Sequence, residues 1–217
     1  MKEQLLKNKN AQTAFGLGMT LLLLISIAIW FKLIAASLWN LLLFPLIFSL
    51  VQFCLTPLLR GLGIFHYYSH FLMANTSDSS AVELHTGTTF DFILHFSLRD
   101  FGSRSKLNII TEVVNGLLRI IHDIENGSIH RNKKIIAAPY FLSKRTIQKF
   151  GFKVKEPSLL DRVFIIGSFF DILLMYIFTH RKFTLPEVWK VKSVELSAWQ
   201  LLAKKGDLIN LKKRLKG

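Results

Sequence analysis

Between Gln12 and Leu59 the chain carries one formal charge, Lys32. It divides AFGLGMTLLLLISIAIWF (14–31) from LIAASLWNLLLFPLIFSLVQFCLTPLL (33–59). A helix climbs about 1.5 Å per residue and needs roughly 20 apolar residues to cross the hydrocarbon layer. Both runs meet that requirement, so the pattern predicts a membrane hairpin over 14–60, its two helices joined near Lys32. A cleaved signal peptide would use Ala35, Ala36 and Ser37 as its small residues. Against that, the first run exceeds a signal core of roughly 7–15 residues, and a second run follows at once.

Orientation is read from the lysines. The tail 1–13 holds Lys2, Lys7 and Lys9 against Glu3. By the positive-inside rule this tail, and everything from Arg60 onward, is expected in the cytoplasm. A third apolar run, VFIIGSFFDILLMYIFT (163–179), has Asp171 at its centre, where a charge costs about 2.5–3.5 kcal/mol on insertion scales. Crossing there would also export a tail rich in Lys and Arg. Residues 159–179 are therefore expected as a helix buried in the domain or lying on the membrane.

The remainder reads as an interfacial linker (61–80), a small α/β domain (81–182) and a basic amphipathic C-terminal region (183–217). The linker opens with GIFHYYSHF, whose tyrosines and histidines suit a membrane–water boundary, and ends in the loop-like ANTSDSS. Within the domain AVEL is a strand candidate. Residues 106–125 place apolar side chains at 109, 110, 113, 114, 117, 118, 120, 121 and 124, a broad helical stripe closed by Asn126-Gly127. KKIIAAPYF (133–141) and FKVKEP read as strands. Between them Ser143 caps a short helix, SKRTIQKF, that ends at Gly151. Strands alternating with helices indicate an α/β fold.

Two local resemblances follow from these segments. PYFLSKRTIQKFGFKV resembles the end of N-acetyltransferase domains of the GNAT type, where a helix leads through Lys-x-Gly-Phe into a strand. That family's pyrophosphate-binding pattern, Gln/Arg-x-x-Gly-x-Gly/Ala, is absent from the chain, and its activity is not carried over. AWQLLAKKGDLINLKKRLKG is similar to one ankyrin-type helix pair. A solenoid needs about three stacked repeats, so the pair reads as amphipathic basic helices.

The stretch ELHTGTTFDFILH (83–95) gathers titratable groups and admits two readings. Extended throughout, it would set Glu83, His85, Thr89 and Asp91 on one face, suiting a general base oriented by a carboxylate. Alternatively Gly87 ends a strand, and Thr88-x-x-Asp91 forms a capping pattern ahead of FDFILHF. His122-Asp123 and His130 read as exposed polar positions near a helix end. Asp171, amid apolar neighbours, is expected to be hydrogen-bonded, protonated or paired, an arginine or histidine of the domain being one candidate partner. Cys54 is the lone cysteine and no His-Glu-x-x-His occurs, so neither a metal nor a cofactor is expected.

The formal net charge is +14. Beside a membrane, each basic group is worth about 1 kcal/mol toward anionic lipid. Lys144, Arg145, Lys149, Lys212, Lys213 and Arg214 are thus expected to bind anionic lipid headgroups or an acidic protein partner, in preference to nucleic acid. The rival expectation is an interfacial transferase or hydrolase acting on a lipid-linked substrate, with His85 as base and Glu83 or Asp91 orienting it.

Overall fold

The computed structural model describes residues 8–75, 80–96, 102–139, 147–148 and 150–216. Two helices long and apolar enough to cross a membrane open the chain, Lys9–Ala36 and Leu38–Gly61, with mean hydropathy 2.3 and 2.1 over an 18-residue stretch of each. Helix α1 (Lys9–Ala36) starts at Asn8, whose side chain accepts hydrogen bonds from the backbone of Asn10 and Ala11. It runs through Lys32, where the join was expected, and ends at an extended Ser37. Asn40 decides this. Its Nδ2 donates to the carbonyls of Leu33 and Ser37, and its own carbonyl accepts from Trp30 Nε1. After a 3-10 turn (Leu38–Leu43), α2 covers Phe44–Gly61.

The hairpin closes on small residues. A Cβ on Gly16 would sit 2.5 Å from the Leu58 nitrogen. Without a hydrophobic drive between helices in lipid, such close backbone approach supplies the dispersion contact that holds them.

The domain is built on a six-stranded sheet in the order β1-β2-β3-β4-β6-β5, with β1 His66–Tyr67, β2 Leu72–Asn75, β3 Ala81–Thr86, β4 Lys134–Ala137, β5 Lys153–Lys155 and β6 Ser193–Ser197. Among the described residues only β3 and β4 run parallel. A parallel neighbour demands a long crossover, here α3 (Thr89–His95) and α4 (Ser103–Glu125). The expected stripe on α4 is the one it buries: Val113, Val114, Leu117, Ile120, Ile121 and Ile124 pack on Val82, Leu84, Ile135 and Leu196. The closing helices α7 (Ala198–Ala203) and α8 (Lys205–Lys216) add Leu201 and Leu208 to this core.

Two stretches differ from expectation. Residues 66–75, read as linker, supply two strands, and Phe71, Leu72, Met73 and Ala74 are buried. The segment 193–197, read as part of the C-terminal region, is an interior strand between β4 and β5. Its alternation, Ser-Val-Glu-Leu-Ser, is a strand signature hidden by the basic residues around it.

Between β5 and β6 the apolar run forms two helices, α5 (Leu159–Gly167) and α6 (Phe169–His180), bent by 60° at their junction. The bend packs on the middle of α2. Ser49 Oγ donates to the Gly167 carbonyl at 3.1 Å, and the Phe48 and Phe164 rings meet edge to face at 5.6 Å. Because Lys153 pairs with Glu195 and Lys155 with Ser193, the chain returns to the side it left. The two ends of the pair thus meet at neighbouring strands, the arrangement of a re-entrant loop. With Cys54 replaced, single thiols placed at Lys155 and near Gly217 are expected to react with an impermeant reagent from the same side of the membrane. Labelling from opposite sides would refute the return.

Candidate functional site

Gly87, Thr88 and Asp91 are first of all a junction between β3 and α3. Thr88 and Asp91 form a reciprocal capping box, with the Thr88 N–H donating to Asp91 Oδ2 at 3.1 Å. Gly87 is there for space: a Cβ would lie 2.7 Å from the Phe71 ring and 2.9 Å from Asp91 Cβ. Asp91 is fully buried, and Arg60 Nη1, in the last turn of α2, donates to it at 3.0 Å. The Tyr67 hydroxyl donates to the same carboxylate at 3.3 Å, and the guanidinium lies 4.6 Å over the Tyr67 ring. Burial pushes the Asp91 carboxyl up to about 6, while Arg60, the Thr88 amide and Tyr67 pull the other way. Burial first, then Asp91, holds the Tyr67 phenol well above its ordinary range. Held by Arg60, Tyr67 and the Thr88 amide, Asp91 ties the domain to the hairpin.

Glu83 and His85 remain together. Two residues apart on β3, they share a face, opposite Asn75 and Met73 of β2. His85 Nε2 stands 3.8 Å from Glu83 Oε2, both side chains half-exposed. Burial holds the imidazole below its ordinary value, opposed by the Glu83 charge.

A cavity of about 620 Å³ opens beside this pair. Its origin is topological. The parallel ladder ends at Leu84 and Ala137, after which β3 continues to Thr86 while β4 gives way to Ala138 and Pro139. The strands separate there, and ligands of α/β sheets commonly sit outside the carboxyl ends of parallel strands. Leu55 and Leu59 of α2 form one wall, Leu117 of α4 another, and Phe164 and Ile172 of the re-entrant pair a third. Gln52, Thr56, Thr88, Ser168 and Asp171 bring polar groups to the membrane-helix side.

Several of these were not singled out from the sequence. Gln52 and Thr56 stand four residues apart in an otherwise apolar span, hence on one helix face. A polar side chain kept within a span is by default a pointer to a site, and that signal was available. Asp171 is hydrogen-bonded: its Oδ1 accepts from the backbone N–H of Thr89 at 2.8 Å, at the start of α3.

The basic candidates lie elsewhere. Lys144, Arg145 and Lys149, with most of the helix carrying the N-acetyltransferase resemblance, fall outside the described residues. Lys212, Lys213 and Arg214 belong to α8, which packs against α4, and none of them lines the cavity. His122 Nε2 bonds Asn126 Nδ2 at 3.0 Å, one turn along its own helix. No protein-family model, no curated protein and no solved structure matches this chain.

Proposed function

We propose that this protein takes an amphiphilic, lipid-linked molecule from its own membrane into the cavity at the separated ends of β3 and β4. One observation carries the reading: the cavity's wall is shared between a membrane-crossing helix, the re-entrant pair and the sheet. An apolar chain can thus leave the bilayer without passing through water. Full burial of each CH₂ is worth about 0.8 kcal/mol, and a volume near 620 Å³ lies in the range of small-molecule sites, roughly 300–1,000 Å³.

The half-exposed His85 beside Glu83 favours a reaction at the polar end of that molecule. An imidazole held below its ordinary value is neutral at pH 7 and available as a base. In this reading the substrate is lipid-linked and the step a transfer or hydrolysis. The basic side chains of α8, and those at 144, 145 and 149, hold the domain on the anionic cytoplasmic leaflet, where the lysines of the N-terminal tail also belong. Exposed apolar side chains at both ends of the re-entrant pair, among them Leu159, Phe183 and Trp189, suit the same interface.

Photolabelling tests the reading. The full chain, reconstituted in phosphatidylcholine vesicles, is irradiated with octadecyl probes carrying a diazirine in the chain, one an alcohol and one a carboxylate. Crosslinks are expected on cavity residues such as Met73, Leu84 and Phe152. Labelling confined to residues 9–61 by both probes would show that no chain enters the domain.

A further inference from the structure

One buried acceptor in the cavity lacks a donor, and this bears on the headgroup. The Ser168 hydroxyl donates to the Phe164 carbonyl at 2.8 Å, so towards Gln52 it can only accept, and Gln52 Nε2 donates to it at 3.0 Å. With the hydroxyl so turned, the Gln52 amide presents its Nε2 to Ser168. Gln52 Oε1 is left buried with no donor.

Three hydroxyls of the lining donate within the protein. Thr56 Oγ1 donates to the Gln52 carbonyl, Tyr67 to Asp91, and Ser193 Oγ to Asp161 Oδ2 at 3.3 Å. Against these stand three carboxylates in the lining, Glu83, Asp161 and Asp171, and among the described lining residues no lysine or arginine. The contrast with a chain of 28 Lys and Arg against 14 Asp and Glu is marked. A buried acceptor without a donor costs about 1–3 kcal/mol, which a ligand's N–H or O–H would recover. A phosphate or carboxylate would bring a further acceptor and a charge with no lysine or arginine among the described lining residues to meet it.

Resting on the reading that an amphiphile enters this cavity, we propose that its polar end is a hydrogen-bond donor without negative charge, an alcohol or an amine, received by Gln52 Oε1. The basic exterior then serves to hold the leaflet and the cavity to select from it. Negative lipid is attracted to the surface and excluded from the site.

Competition against the diazirine alcohol probe tests this with the full chain in phosphatidylcholine vesicles at pH 7.5. Three competitors share one C18 chain: oleyl alcohol, oleylamine and oleate. The alcohol, the amine or both should displace the probe from Met73 and Leu84 at about tenfold lower membrane concentration than oleate, the worth of one satisfied buried hydrogen bond. Gln52→Met, which keeps the bulk and removes the acceptor, should bring the ratios close to one. Gln52→Glu should favour the amine over the alcohol. Ratios within one variant cancel any loss of folded protein. Oleate competing as well as the others, or Gln52→Met leaving the ratios unchanged, would overturn the proposal. If cavity residues are labelled but oleate competes best, the chain site stands and only its headgroup chemistry is wrong. If no probe labels the cavity, both fall together.

Discussion

Asp91→Ala is expected to destabilise the full chain by about 3–5 kcal/mol, the usual cost of removing one partner from a buried ion pair. Arg60, whose side chain is only 15% exposed, would be left charged, since a guanidinium does not deprotonate in proteins. The capping box would be lost with it. Arg60→Leu is not equivalent, because the orphaned carboxyl can take up a proton. Asp91 has a folded pKa of about 6 against an ordinary 3.8. A raised acid contributes its stability in full below the unfolded value and loses it as pH rises through the folded one. Removing Arg60 raises that folded pKa further, so the penalty of Arg60→Leu should be small at pH 5 and grow towards pH 8. Chemical unfolding in nanodiscs at both pH values measures it. An Asp91→Ala cost under about 1 kcal/mol, or an Arg60→Leu cost independent of pH, would refute the assignment.

His85→Ala should lower turnover of a long-chain ester or other lipid-linked substrate by about 10²–10⁴-fold, the range for loss of a general base. Unfolding should change little, because His85 is half-exposed and its ring neighbour is Phe65, 6.5 Å away. The acid limb of the rate should lie below the ordinary histidine value of about 6.5, as burial lowers the imidazole pKa. Activity is then present above that limb and lost as pH falls through it. Glu83→Gln removes the charge opposing this shift and should move the limb to still lower pH. A fully active His85→Ala would leave the site as a binding cavity without a base.

Some of this was legible residue by residue. An almost uncharged stretch from Gln12 to Leu59 has few stable settings outside lipid, and the spacing 113, 114, 117, 120, 121, 124 has one buried face whatever covers it. The pattern Thr88-x-x-Asp91 is likewise local: both halves of the capping box lie within one turn, so composition at four positions suffices to write it. The strand at 193–197 was legible too, but its two-residue alternation is short and surrounded by lysines.

What is local in the chain was thus determined by sequence alone: two spans, the stripe of the long helix, and the strand-to-helix junction. Tertiary structure decided the partners. Arg60 meets Asp91 across 31 positions and Gln52 meets Ser168 across 116, separations over which no periodicity reports. The same holds for the third apolar run, whose two ends meet at the neighbouring strands β5 and β6. The cavity belongs wholly to this level. It exists because two parallel strands part beyond Leu84 and Ala137 and a membrane helix closes the gap, and space between elements is a property of their packing that no single element encodes.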